Sequence, residues 1–174
     1  MPAGANDVAA LTRLPRRARG LHSSVTSDVF IGARDAEGDE VVVKRTKITC
    51  PADIARFEKE LELLLQCEHE SVVRPVAVVR SAPTYAIVLP FYAGGALFSL
   101  LHASGRTLAP AQALRTCADV AAALAHIHGR GVLHRDVKSD NVLIGADGRA
   151  VLADFNAAES VDRIAADIIV QARP

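Results

Sequence analysis

The most informative segment of the chain reads His134-Arg135-Asp136-Val137-Lys138-Ser139-Asp140-Asn141. A carboxylate, an ammonium group two residues later and a carboxamide three residues after that form a compact polar cluster. Apolar runs flank the cluster, Gly131-Val132-Leu133 before it and Val142-Leu143-Ile144 after it. Packed elements on both sides would present the charged groups to an open face, which favours catalysis over a solvated loop.

These side chains suit the transfer of a phosphoryl group from a nucleotide to an alcohol. That reaction needs a base or orienting group for the hydroxyl, a cation for the migrating charge, and oxygen ligands for Mg²⁺. We expect Asp136 to accept or orient the hydroxyl proton and Lys138 to steady the γ-phosphate. Asn141 would bind the metal ion through its side-chain oxygen.

The same segment resembles the catalytic loop of the protein-kinase family, H-R-D-x-K-x-x-N. All five defined positions match at fixed spacing, so an accidental polar turn is a poor explanation. The lysine two residues after the aspartate is similar to the eukaryotic-type serine/threonine branch. The resemblance implies an α+β fold, with a β-rich N-lobe, its one helix and a hinge in residues 21–92. A partial, mainly helical C-lobe would occupy residues 93–174.

Composition excludes few function classes but sets useful limits. Half of the 174 residues are apolar, and twenty basic side chains balance twenty acidic ones. This balance gives no global attraction to nucleic acid or to an anionic membrane. The three cysteines, Cys50, Cys67 and Cys117, lie far apart, and we interpret them as buried, reduced thiols of a cytoplasmic or nuclear protein.

Two segments raise the question of a membrane or targeting signal. Residues 81–105 carry no charge, but Pro90 and Gly94-Gly95 in the middle favour a strand, a turn and a helix start over a membrane helix. Residues 1–20 are basic and are expected to form a flexible lead-in. Their arginines follow the apolar residues, which argues against a signal peptide, while an organelle transit segment stays open.

A β-hairpin is predicted after the lead-in, with Val29-Phe30-Ile31 and Glu40–Lys44 as strands and a turn at residues 35–39. In kinases the first strand pair carries G-x-G-x-x-G-x-V over the phosphates. If Val29 is the valine of this motif, its glycine positions fall on His22, Ser24 and Ser27. Ser24 and Ser27 would still offer N–H and hydroxyl groups to the nucleotide.

The resemblance assigns Lys44 to the α/β-phosphates, because it ends the second strand as in the family pattern V-A-x-K. Val42 replaces the alanine of that pattern, against the adenine ring. A helix is predicted at Pro51–Gln66, with Ile54, Phe57, Leu61, Leu64 and Leu65 as its apolar stripe. Glu60 lies at the edge of this stripe, where a carboxylate needs a cation, and the family ion pair makes Lys44 its expected partner. Glu58 and Glu62 are competing assignments.

A further strand, Ala86-Ile87-Val88-Leu89, runs into a segment that resembles the kinase hinge. The resemblance makes Leu89 the gatekeeper, Pro90 a carbonyl acceptor for adenine and Tyr92 an N–H donor. Leu143 completes the residues expected to contact the nucleotide. Residues 96–102 are predicted as a short helix and Ala109–His128 as a long one. The expected buried side of the long helix comprises Leu114, Cys117, Ala121, Leu124 and Ala125.

Asp147-Gly148 predicts a two-residue hairpin turn between Val142-Leu143-Ile144 and Ala150-Val151-Leu152. That register would place Asn141 opposite Asp154 and join two oxygen ligands in one Mg²⁺ site. Asp154-Phe155-Asn156 resembles the kinase D-F-G motif, with Asp154 as metal ligand. Asn156 would take over the positive φ of the glycine.

The resemblance covers residues 21–156. No A-P-E motif follows, so we expect a kinase domain truncated after its D-F-G equivalent. The favoured function is a serine/threonine kinase that uses Mg-ATP to phosphorylate a protein substrate. The alternatives are a pseudokinase or inactive fragment that binds a nucleotide or a partner, and a small-molecule phosphotransferase. The glycine-free first loop, Val42 and Asn156 motivate the pseudokinase alternative.

Overall fold

The computed structural model describes residues 19–33, 40–102 and 107–171, which form two compact units. The first unit comprises residues 19–58 and Pro75–Phe91, and the second comprises Lys59–Arg74 and the chain from Tyr92 onward. Most of the predicted lead-in and the predicted turn at residues 35–39 lie outside the described residues.

An antiparallel five-stranded sheet forms the first unit, in the order β1-β2-β3-β5-β4. Its strands are β1 (Arg19–Ser23), β2 (Ser27–Ala33), β3 (Glu40–Thr46), β4 (Ala77–Ser81) and β5 (Thr84–Pro90). The predicted lead-in is two residues too long, because Arg19 and Gly20 already belong to β1 and pair with Ile31 and Phe30 of β2. One face of the sheet is packed with buried side chains, namely Phe30, Val41, Val43, Val79, Ala86 and Val88.

Helix α1 (Pro51–Gln66) follows β3 and starts with proline at its first position, as predicted. Asp53 closes the first turn, because its Oδ2 accepts hydrogen bonds from the N–H groups of Thr49 (2.8 Å) and Cys50 (3.0 Å). The hydrogen bonds from Thr49 hold the pKa of this carboxyl well below its usual value. Of the predicted stripe, Phe57, Leu61 and Leu64 are buried, whereas Leu65 is exposed and Leu63 is buried instead.

Short strands and three helices form the described part of the second unit from Tyr92 onward. In chain order they are β6 (Gly95–Ala96), α2 (Leu97–His102), α3 (Pro110–Gly129), β7 (Val132–Leu133), β8 (Val142–Ile144), β9 (Ala150–Leu152), β10 (Glu159–Ser160) and α4 (Val161–Gln171). Strands β6, β8 and β9 form one small sheet, and β7 pairs with β10. Asp119 of α3 accepts a hydrogen bond from the Ala150 N–H (2.9 Å), which ties this helix to β9.

The predicted buried side of α3 is wrong. Leu114 is 72% exposed, Cys117 is exposed, and the buried positions are Thr116, Ala123 and Ile127. The helix is rich in alanine, so its apolar residues surround the axis and mark no single face. The cysteine prediction fails with it in part, since Cys67 is buried but Cys50 and Cys117 are exposed.

The hairpin between β8 and β9 is one residue out of its predicted register. Val142 faces Leu152, and the hydrogen bond from Gly145 N–H to the Arg149 carbonyl (2.9 Å) closes a three-residue loop. Gly148 supplies the left-handed residue of this loop, with φ of 79°. An Asp-Gly pair serves three-residue loops as well as two-residue ones, so the residue types alone do not fix the register.

No helix in residues 19–33, 40–102 or 107–171 is long and apolar enough to cross a membrane.

We expect Gly148→Ala to lower the free energy of unfolding by about 1 kcal/mol, since an L-residue with a Cβ is strained at positive φ. A Cβ at Gly148 would meet no atom within 4 Å, so crowding adds nothing to this cost. Gly129→Ala is the matched control, because Gly129 has equal space and no positive φ. Urea unfolding of both variants measures the difference, and equal stabilities would contradict the assignment of strain.

Candidate active site

The predicted nucleotide residues of the first unit share one face of the sheet. Val29 of β2 lies directly opposite Lys44 of β3, and Val42 lies opposite Leu89 of β5. Directly paired residues on antiparallel strands point to the same side of a sheet, and Val42 and Lys44 are two positions apart on one strand. All four side chains are half-buried, whereas the other face carries the buried core. This partly open apolar face with one lysine suits a flat aromatic base beside an anionic group.

A hydroxyl-rich turn replaces the expected glycine loop between β1 and β2. The Ser24 N–H donates to the Ser27 carbonyl (2.8 Å), and the Ser27 N–H donates to Ser24 Oγ (3.1 Å). Lys47 Nζ closes the turn further with a hydrogen bond to the Ser24 carbonyl (2.6 Å). Both N–H groups that were expected to face the phosphates are therefore bonded within the turn, and the contact of Ser24 and Ser27 with the nucleotide stays a prediction.

The predicted hinge residues lie at the end of β5 and in the turn that follows it. Pro90 is paired with Val41 in the sheet, and the Tyr92 carbonyl accepts a hydrogen bond from the Gly95 N–H (2.9 Å) in the following turn. Burial raises the pKa of the Tyr92 phenol, which keeps it neutral. Leu143 lies on β8 between Ala96 and Val151 and is half-buried.

Only one of the three candidate glutamates on helix α1 is buried. Glu60 is 5% exposed, Glu62 is exposed, and Glu58 forms an ion pair with Arg80 at 3.6 Å. The apolar stripe explains this choice, because Glu60 lies three residues after Phe57 and four before Leu64. The ion pair between Glu60 and Lys44 stays a prediction.

The catalytic loop brings Asp136, Lys138 and Asn141 into direct contact. Asp136 Oδ2 accepts hydrogen bonds from Lys138 Nζ (2.8 Å) and Asn141 Nδ2 (2.9 Å), and Nδ2 also donates to the Asp136 carbonyl (2.9 Å). A single 3₁₀ turn, Ser139–Asn141, folds the chain back to allow this. The hydrogen bond from Lys138 lowers the pKa of Asp136 and raises that of Lys138. The loop therefore holds a charged carboxylate beside a charged ammonium.

The buried His134 ring fixes this loop through hydrogen bonds, a role that was not predicted from the sequence. Its side chain is 1% exposed; Nδ1 accepts from the Asp136 N–H (3.3 Å) and Nε2 bonds the Ala153 carbonyl (3.0 Å). Because Nδ1 accepts, Nε2 carries the proton. The ring also meets Phe155 edge-on at 5.0 Å. The available signal was its position between a short apolar strand and the charged loop.

Asp154 and Asn156 differ in detail from their predicted geometry. The left-handed residue is Asp154 itself, with φ of 65°, while Asn156 lies in a 3₁₀ turn and its N–H donates to Asp154 Oδ1 (3.4 Å). The side-chain bond explains the change, since a short acidic side chain stabilises its own left-handed backbone locally. Asn141 lies next to Ala153, whose N–H donates to the Asn141 carbonyl (2.8 Å), and is not directly opposite Asp154.

A comparison with known proteins identifies the family of the chain. A family model described as protein tyrosine and serine/threonine kinase matches residues 17–168. The chain belongs to this kinase family. The predicted α+β kinase fold is thereby confirmed.

Similar proteins indicate the branch of the kinase family to which the chain belongs. The chain is 32% identical to mitogen-activated protein kinase kinase kinase 2 of Arabidopsis thaliana over 146 residues, 79% of this chain and 22% of that protein. It is 38% identical to serine/threonine-protein kinase TNNI3K of Mus musculus over 107 residues, 60% of this chain and 13% of that protein. Serine/threonine-protein kinase pkn2 of Myxococcus xanthus is 33% identical over 159 residues, 88% of this chain and 19% of that protein. The predicted serine/threonine branch is confirmed, and the chain spans about a fifth or less of these relatives' length.

Buried His134 should make stability depend on pH. Burial lowers its pKa, so the unfolded chain binds a proton below about pH 6.5 that the folded chain does not. The free energy of unfolding should fall as the pH drops through this range, by up to about 1.4 kcal/mol per pH unit for one proton. Urea titrations should show a flatter dependence for His134→Gln than for wild type. Exposed His102→Gln serves as the control, and parallel profiles for wild type and His134→Gln would contradict the prediction.

Proposed function

We propose that this chain is the catalytic part of a serine/threonine protein kinase, which transfers the γ-phosphoryl group of Mg-ATP to a hydroxyl of a protein substrate. The observation that supports this most directly is the contact between Asp136, Lys138 and Asn141. This contact holds the Asp136 carboxylate and the Lys138 ammonium group at a fixed separation, which a solvated loop would not do. No finding favours the pseudokinase alternative.

Asp136 is proposed to orient the substrate hydroxyl and accept its proton during transfer. Its lowered pKa keeps it unprotonated at neutral pH, as this role requires. Lys138 is half-exposed at the same carboxylate and can turn its ammonium group toward a phosphate oxygen. Charge developing on the migrating phosphoryl group would then meet a cation already in position, which avoids reorganisation of water.

Asn141 and Asp154 are proposed to hold Mg²⁺. One carboxylate and one carboxamide oxygen suit this hard cation, which binds few protein groups and completes its shell with phosphates and water. Asn141 is buried, and its Nδ2 is bonded to Asp136, so Oδ1 is the atom with ligand character. When bound, the metal ion neutralises phosphate charge.

The half-buried sheet face is proposed to contact the nucleotide. Val29, Val42 and Leu89 supply apolar surface for the base, and Lys44 supplies a cation for the phosphates. We propose further contacts from Leu143, the Pro90 carbonyl and the Tyr92 N–H. Ser24 and Ser27 would contribute through hydroxyl groups, since their N–H groups are bonded within the turn.

The proposed partner is a protein with an accessible serine or threonine. We also propose a reducing compartment, cytoplasmic or nuclear, because Cys50, Cys67 and Cys117 are free thiols.

Binding of Mg-ATP should raise the melting temperature of the chain. At a hundredfold excess over Kd the stabilisation is about 2.7 kcal/mol. Lys44→Met and Asp154→Ala should abolish the shift, because they remove the proposed phosphate cation and metal ligand. Arg45→Met is the control, since its exposed side chain belongs to the other face of β3. An unchanged shift in both site variants would contradict the proposed nucleotide residues.

Asp136→Asn should lower kcat by about 10²- to 10⁴-fold, because the substitution removes the proton acceptor. The melting shift caused by Mg-ATP should stay, because no proposed nucleotide contact is removed. Phosphoryl transfer to a peptide library containing serine, threonine and tyrosine measures the rate and the acceptor. Asp140→Asn, an exposed carboxylate of the same loop, should transfer at the wild-type rate. An Asp136→Asn variant with the wild-type rate would refute the proposed mechanism. Phosphorylation of tyrosine alone would refute the proposed serine or threonine acceptor.

A further inference from the structure

Glu159 is an acidic residue surrounded by cations, and the proposed mechanism does not use it. Its carboxylate is 13% exposed and contacts Lys59 Nζ at 3.1 Å, Arg163 Nε at 3.9 Å and Arg135 Nη1 at 4.0 Å. The Ser160 N–H donates to the same carboxylate (3.3 Å). We call these side chains, Glu159 with Lys59, Arg135 and Arg163, the Glu159 cluster.

The backbone around Glu159 is fixed against the strand that leads into the catalytic loop. Glu159 pairs with Leu133, the residue before His134, and the Val161 N–H donates to the Gly131 carbonyl (2.8 Å). Ala158, immediately before Glu159, is fully buried. The carboxylate therefore occupies a defined position relative to the loop.

Arg135 is the member of the cluster closest to the chemistry, because its backbone joins His134 to Asp136. It has a φ of 67°, a left-handed conformation that is costly for a residue with a long side chain. Such a conformation persists only where its surroundings hold it from several sides. The His134 ring holds the backbone on one side of Arg135, and Glu159 attracts the guanidinium.

Lys59 extends the same cluster into helix α1. It directly precedes Glu60, the buried glutamate expected to pair with Lys44, and makes the shortest contact with Glu159. Burial works to raise the pKa of Glu159, but the hydrogen bond and charge of Lys59 outweigh it, so its pKa is lowered. The carboxylate is therefore charged at neutral pH, as an ion-pair centre must be.

We infer that Glu159 is a positioning residue for phosphoryl transfer: its carboxylate holds Arg135, and through it Asp136, in the geometry that the reaction uses. Lys59 serves as the counter-ion that keeps the carboxylate in place. This inference rests on the proposed function of Asp136. The reacting atoms themselves are not contacted by Glu159.

Glu159→Gln tests the role of the charge with little change in shape. We expect kcat for peptide phosphorylation to fall by about ten- to a hundredfold, the scale of a small misplacement of reacting groups. KM for ATP should stay near the wild-type value. Glu159→Asp should recover part of the rate, whereas Glu159→Lys, which places a further cation beside Arg135 and Arg163, should lower kcat at least as far as Glu159→Gln. The control is Glu70→Gln, which breaks the ion pair with Arg149 in the same unit.

Hydrogen exchange gives a readout that needs no activity. Backbone amides of residues 131–138 should exchange faster in Glu159→Gln than in wild type or Glu70→Gln. Faster exchange together with a lower kcat supports the inference. Faster exchange with an unchanged kcat shows a purely structural ion pair and overturns it. Unchanged exchange overturns it whatever the rate. If wild type transfers no phosphate, the proposed function fails, and with it the catalytic part of the inference, while exchange still decides whether Glu159 holds the loop.

Discussion

The geometry of the candidate site depends on the two hydrogen bonds of the buried His134 ring. One nitrogen accepts from the Asp136 N–H, and the other donates to the Ala153 carbonyl. Ala153 in turn donates its N–H to the carbonyl of Asn141. The backbones of Asp136, Ala153 and Asn141 are thus linked through one imidazole. The ring itself is buried, where an unsatisfied polar atom is costly, so both of its nitrogens need these partners.

The strands near this ring are short, because hydrogen bonds and ion pairs of side chains hold them in addition to the few backbone hydrogen bonds between strands. Strands β7 and β10 have two residues each, and β8 and β9 have three. Asp119 of α3 holds β9, Asn141 closes the loop on Asp136, and Glu159 draws Arg135 and Lys59 together. Backbone strain at Arg135 and Asp154 is therefore supported by specific polar contacts on both sides of the site.

Residue types at fixed spacing predicted the parts of the site that are local in sequence. The loop from His134 to Asn141 and the buried choice of Glu60 followed from spacing and from the apolar stripe of α1. Features that depend on long-range partners did not follow: Glu159 contacts Lys59, which lies 100 positions earlier in the chain, and no local pattern marks it. The buried face of α3 was predicted incorrectly, because a helix rich in alanine shows little periodicity in hydrophobicity. The hairpin register failed because Asp147-Gly148 fits two loop lengths.

The closed turn between β1 and β2 has a consequence for ligand affinity. The Ser27 N–H is held by Ser24 Oγ, so donating it to a phosphate oxygen would require this hydrogen bond to break first. If phosphate binding uses this N–H, the measured dissociation constant is the intrinsic constant divided by the fraction of molecules in which that bond is broken. The hydrogen bonds of the Ser24 hydroxyl thus stabilise the free protein and, at the same time, lower its affinity for any ligand that needs the Ser27 N–H.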